Sequence, residues 1–208
     1  MNPPHLLRCR CGTVSGLLSH GERASRCVCY CKDCQAFAHF LGEPQRVLDP
    51  LGGSEVIATS PAWLQFTQGR EALACMSLTE GGMLRWYTRC CRTAIGNTPR
   101  NHKFSYIGLL HSCLQSDPTH TLAASFGPLR MQLNRQSARQ TQGPVPSASA
   151  LSTTWAMLRI ARMVAGARIG GSYLHTPFFD VHSSTPLAQR QVLSSAEYAR
   201  LQQRVGQS

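Results

Sequence analysis

The chain has 208 residues, and its 21 Lys+Arg against 10 Asp+Glu leave a formal charge of +11. A hydrophobic share of 42% is enough for a packed core, which excludes a wholly disordered chain. No apolar run reaches the roughly 18 residues of a membrane span; the nearest, residues 155–169, carries Arg159, Arg162 and Arg168.

In chain order, the start MNPPHLLRCRCG lacks the basic-then-apolar layout of a secretory signal. A cytoplasmic, reducing location with no membrane partner is expected. Short runs of strand length follow at Val56–Ala58, Trp63–Phe66, Ala72–Met76 and Met83–Tyr87, then at Lys103–Leu110 and Leu129–Leu133. Gly52-Gly53 and Gly81-Gly82 punctuate them as hairpin turns. The pattern predicts a mainly β unit of short antiparallel strands over residues 6–130. Residues 134–150, rich in Ser, Gln and Pro, read as a linker or mobile loop. Residues 151–208 read as a C-terminal helical extension: a helix over Leu151–Gly166 stopped by Gly170-Gly171, and another over Ser195–Gln203 capped by Ser194 or Ser195.

Ten cysteines set the chemistry. In a reducing compartment, clustered thiols more often bind metal than pair with each other. Cys9-Arg10-Cys11-Gly12 puts two thiols on one face of an extended strand, from which both can reach one ion. Two ligands rarely hold zinc, so a further contribution is required. Cys29-Tyr30-Cys31-Lys32-Asp33-Cys34 supplies three thiolates within six residues. Three protein ligands and an open position are the pattern of a catalytic zinc. Cys27 either extends that face as a fourth ligand or is a small buried residue. Cys90 and Cys91 are adjacent, so in a strand they point to opposite faces; Cys91 is the firmer partner for Cys9 and Cys11, and both can join only at a turn or bulge.

Together, Cys9-x-Cys11-Gly12, then Cys29-x-Cys31-x-x-Cys34-Gln35, then an aromatic residue followed by Cys91 and Thr93, resemble the glutathione-dependent formaldehyde-activating family, which includes centromere protein V. The resemblance implies an Mss4-like β fold built around two zinc ions. One ion would be structural, on Cys9, Cys11 and Cys91, with Cys90 as candidate fourth ligand; the other would be catalytic, on Cys29, Cys31 and Cys34. It also implies carbon–sulfur lyase-like chemistry on adducts of a glutathione-type thiol with small aldehydes. Four positions depart from the family pattern: Thr88 replaces the first cysteine of the late motif, Arg92 replaces its glycine, and Tyr30 and Gln35 stand where His and Arg are common.

The alternative is a non-catalytic, zinc-stabilised module that contacts nucleic acid or protein through the basic excess. No helix-turn-helix, aromatic RNA-binding box or finger-type Cys/His spacing favours a nucleic-acid partner. Lys32 is either a cation offsetting a trithiolate site or an ordinary surface lysine. His39 beside Phe37 and Phe40 reads as packing rather than as a ligand. Between His175 and His182, Phe178 and Phe179 would dock the extension on the β unit or form a lid over zinc. Cys75 is expected to be buried and inert, and Cys113 has no visible partner.

Overall fold

The computed structural model of the chain describes residues 3–116, 121–139 and 148–207. Thirteen strands and four α-helices are defined among them: β1 (His5–Arg8), β2 (Ser15–Leu18), β3 (Ser25–Cys29), α1 (Lys32–Leu41), β4 (Ser54–Thr59), β5 (Leu64–Gln68), β6 (Leu73–Ser77), β7 (Leu84–Thr88), β8 (Ala94–Thr98), β9 (Ile107–Leu110), α2 (Leu122–Phe126), β10 (Leu129–Leu133), α3 (Ala150–Ile169), β11 (Phe179–Asp180), β12 (Thr185–Pro186), β13 (Arg190–Val192) and α4 (Ser195–Gln207). The protein is mainly β, as its short strand-length runs predict.

An eight-stranded sheet in the order β10-β3-β4-β9-β8-β7-β6-β13 forms the frame, and β1-β2-β5 makes a second, three-stranded sheet. The interior pairings of the large sheet are antiparallel. Both of its edges differ from the expected all-antiparallel pattern, because β10 pairs parallel with β3 and β13 parallel with β6. A parallel neighbour needs a long return path, and the segments beyond residue 110 supply it.

Strand alternation sorts side chains into two cores. Ile57, Cys75, Trp86 and Leu109 face the small sheet and meet Leu7, Leu18 and Leu64. Val56, Ala58, Met76 and Leu110 face the other way, where Phe37 and Leu41 of α1, Ala156 of α3 and Leu201 and Val205 of α4 cover them. With both faces covered, the central strands can be apolar throughout. Phe178 and Phe179 enter the first core, with Phe178 4.8 Å from Trp86 and edge-on to Phe66. They dock the C-terminal segment and do not lie over α1, so the lid reading fails.

That segment is more than helical, since β13 extends the main sheet. Its helices fall where expected. Gly170 ends α3, and Ser194 caps α4 in a reciprocal arrangement: its hydroxyl accepts from the Glu197 amide at 3.2 Å while its own amide donates to the Glu197 carboxylate at 2.8 Å. Residues 140–147 of the expected linker lie outside the described residues. Before them the chain is held, with the Arg139 amide donating to the Leu51 carbonyl and Gln35 to the Ser137 carbonyl.

Candidate metal centres

The first cysteine group forms where two tight turns meet. β1 ends at Arg8, and the chain reverses at once: the Gly12 amide donates to the Cys9 carbonyl at 3.0 Å, and the Cys9 amide to the Val14 carbonyl at 2.9 Å. Gly12 stands at φ +82°, which glycine adopts without strain. Cys9 and Cys11 therefore sit in a turn rather than in the extended strand expected from their spacing. The Val14 amide also donates to the Cys9 sulfur at 3.2 Å.

The opposing turn joins β7 to β8. The Arg92 amide closes it on the Thr88 carbonyl at 2.9 Å, and Arg92 itself adopts φ +55°. Glycine adopts that conformation without strain, and a bulky residue there is uncommon. The guanidinium of Arg92 donates to the carbonyls of Phe40 and Leu41 at the end of α1 and lies 4.8 Å from the Phe40 ring. Because Cys90 and Cys91 fall in the turn, both face the first pair. The Arg10 amide, donating to the Thr93 hydroxyl at 3.1 Å, joins the two turns.

The sulfurs of Cys9, Cys11, Cys90 and Cys91 all lie within 4.8 Å of one another. Cys9 is 3.6 Å from Cys11 and 3.8 Å from Cys90, and Cys90 is 3.8 Å from Cys91. Two sulfurs each about 2.3 Å from a tetrahedral ion stand about 3.8 Å apart, so the donor set fits one thiophilic ion. None of the ten cysteines is in a disulfide. Thr88 is buried; its hydroxyl lies 3.5 Å from the Cys91 sulfur and that of Thr93 lies 3.2 Å from it. Burial alone would raise the Cys91 thiol, but these hydroxyls together with hydrogen bonds from Cys11 bring it down to about 5. Burial pushes Cys9 up to about 12, and a hydrogen bond with Thr13 lowers Cys11.

The second group lies at the start of α1. Cys29 ends β3, Cys31 is the N-cap of the helix and Cys34 is in its first turn. The Cys34 amide donates to the Cys31 sulfur at 3.4 Å, so a thiol does the capping that Ser or Asp usually does. The three sulfurs are mutually within 4.8 Å, and Asn134 donates to Cys29 at 3.5 Å. Cys29 is held well below the ordinary thiol range because Cys31 and Cys34 donate to it, and both donors are raised by the same contacts. Unpaired helix amides also favour negative charge here.

Two residues beside this group are structural. Gln35 is buried and ties the Tyr30 carbonyl to the Ser137 carbonyl, at 2.8 and 3.0 Å; Tyr30 is itself buried. Cys27 does not complete the group: its thiol donates to the Val56 carbonyl at 3.4 Å in the helix-covered core, where burial pushes it up to about 12. His39 is outside both groups, and burial lowers it together with Arg139 and Arg204. Cys113 is buried and donates to the Leu110 carbonyl at 3.1 Å.

Lys32 is exposed. A cation acting on the trithiol is Arg85 of β7, 5% exposed, whose charge opposes the rise that Cys29, Cys31 and burial impose on Cys34. Arg85 stacks 5.4 Å from the Phe37 ring, donates to Asn97 at 3.3 Å and lies 3.9 Å from Asp33. Tyr198 of α4 donates to the same Asp33 at 2.6 Å. Sequence reasoning missed this network. Its one signal was an arginine inside the otherwise apolar run Leu84–Tyr87.

Fold and site define a β-rich protein with two cysteine groups able to hold metal ions. Residues 2–188 match the family DUF6151, described as a family of unknown function, and the chain belongs to it. No curated protein matches the sequence. Among solved structures, a Rhodobacter sphaeroides protein determined as a Northeast Structural Genomics target is similar at 18% identity, with 61% of this chain and 98% of that one covered and a TM-score of 0.36.

Proposed function

We propose that the protein binds two zinc ions in a reducing, cytoplasmic setting and acts at the second as a carbon–sulfur lyase on adducts of a small thiol with an aldehyde. The reading rests on the contrast in ligand number. Cys9, Cys11, Cys90 and Cys91 offer four sulfurs, which close a structural shell, whereas Cys29, Cys31 and Cys34 offer three. The resemblance of the cysteine motifs to the formaldehyde-activating family supports the same assignment and suggests an Mss4-like fold.

A zinc ion there would supply Lewis acidity and lower the pKa of a bound thiol. The residues of the chain do the rest. Three thiolates against one divalent ion leave the site at −1, and buried Arg85 offsets that charge. The α1 amides stabilise the thiolates, and Asn134 holds the Cys29 sulfur in place. In the lyase direction the carbon–sulfur bond breaks, the carbonyl re-forms and the hydroxyl proton ends on the released thiol. Addition is the reverse, with no oxidant or reductant.

The test is aldehyde release from an S-hydroxymethyl thiol adduct by the zinc-loaded protein. Cys31→Ser should abolish release above the spontaneous rate while the fold and the first zinc are kept. Turnover by Cys31→Ser at the wild-type rate would remove the catalytic assignment. Absence of turnover by the two-zinc wild type would favour the second reading, a zinc-stabilised binding module, which the formal charge of +11 supports.

A further inference from the structure

Helix α3 is covered on one side only. It packs on β10, β3 and β4, with Ala156 and Ala167 buried and Ile160 partly so. The opposite line of the helix, at steps of three or four residues, reads Leu151, Trp155, Leu158, Arg162, Ala165, Ile169. Of these, Leu151 is 70%, Trp155 61%, Leu158 48% and Ile169 88% exposed. An ordinary surface helix presents polar groups there and keeps its large apolar residues for the core. Beside the line, a hollow of about 650 Å³ is walled by Phe104, Met157 and Val164, with Lys103 and Arg168 among its lining.

The charge along this stretch of the chain is one-sided, although Glu22, from outside it, faces Arg159. Residues 118–179 contain six arginines and neither Asp nor Glu. Arg159 is turned inward, donating to the backbone carbonyls of Glu22 and Arg23, while Arg162 and Arg168 are exposed. A second copy fits poorly, because two such faces would meet with arginines on both and no helix carboxylate to pair them. A nucleic acid would offer phosphates to the arginines and, if single-stranded, a base to stack on Trp155, but no apolar partner for Leu151, Leu158 and Ile169. An anionic bilayer offers both: headgroup phosphates for the cations, and the acyl boundary for the apolar line.

We propose that α3 lies flat on anionic phospholipid bilayers, about 30 Å of helix, with Leu151, Trp155, Leu158 and Ile169 in the headgroup–acyl boundary and Arg162, Arg168 and Lys103 on lipid phosphates. No helix among the described residues is long and apolar enough to cross a membrane, and a surface helix need not be. The sequence-based expectation of no membrane partner came from the absence of a span, which leaves this mode untouched.

The experiment is flotation of the zinc-loaded full chain with vesicles of phosphatidylcholine alone or mixed with phosphatidylserine, at low and high salt. The protein should float with the mixed vesicles at low salt, stay behind with phosphatidylcholine alone and be released by high salt. Vesicle binding should shift Trp155 emission to the blue, a change absent in Trp155→Phe. Trp155→Ser with Leu158→Ser should abolish flotation without changing zinc content. Arg162→Gln should weaken partition about fivefold, the effect of one basic group near an anionic leaflet. The proposal is overturned if the wild type does not float with the mixed vesicles, or if the double variant floats equally well. It is also overturned if the double variant instead splits a wild-type dimer or abolishes binding to duplex DNA.

Discussion

Cys90→Ser isolates one sulfur of the four-thiol group. Cys90 is exposed and lies 3.8 Å from both Cys9 and Cys91. Serine changes sulfur to oxygen at nearly constant shape, and a surface substitution without a metal role falls within about 0.5 kcal/mol of neutral. If Cys90 is the fourth donor, the shell loses a soft ligand that zinc prefers. An ion present at about a thousand times its Kd contributes about 4 kcal/mol. In a chain of this length each kcal/mol moves Tm by about 2–4 °C, so loss of the ion should lower Tm by about 8–16 °C. The assay pairs thermal unfolding with metal content per chain. Cys113→Ala serves as control: it opens a core cavity and lowers Tm, but it keeps both ions because Cys113 is in neither group. A Cys90→Ser protein with two zinc ions and unchanged Tm would refute the four-sulfur shell.

Arg92 trades strain at φ +55° for contacts with the end of α1. Arg92→Ala keeps the strain and loses the contacts, so it should be less stable than Arg92→Gly by about 1 kcal/mol in urea unfolding; equal midpoints would remove strain from the account. Burial pushes Cys75 up to about 12, whereas an unfolded thiol ionises near about 8.5. Above that pH the unfolded chain releases a proton the fold retains, so stability falls by up to about 1.4 kcal/mol per pH unit until about pH 12. Urea midpoints taken through this window should drop more steeply for wild type than for Cys75→Ala, and parallel slopes would show that Cys75 is not the cause. Tyr198→Phe removes a charge-assisted bond to Asp33 and should cost about 1–2 kcal/mol with both metals retained; unchanged stability would mean that α4 is not held through this bond.

The cysteine groups were legible because thiol clustering is a local signal, and the structure brings together the same seven residues. Six strand runs were visible too, though the Lys103–Leu110 run contracts to β9. The missed elements have specific causes. Helix α1 begins on a thiol cap, so Cys31 gave none of the Ser, Thr or Asp cue that marks a helix start. β1 and β2 have four residues each, and β13 has three, too few to display a period. From the sequence, Cys90 and Cys91 can act together only at a turn, whereas Cys9 and Cys11 read as strand; the backbone at Gly12 and Arg92 shows a turn at both. Arg85 and Tyr198 reach Asp33 from distant strands and helices, a convergence that no window of sequence contains.

The two parallel edge strands also shape how the chain must be made. β3 and β6 expose unpaired backbone until β10 and β13, about a hundred residues later for each, emerge to cover them. During synthesis the nascent sheet therefore passes through a stage with two bare flanks, each a template for a foreign strand. A ribosome-bound chain stopped short of Arg190 should bind chaperones more persistently than the finished protein, and premature termination there would yield an aggregating fragment rather than a smaller working domain.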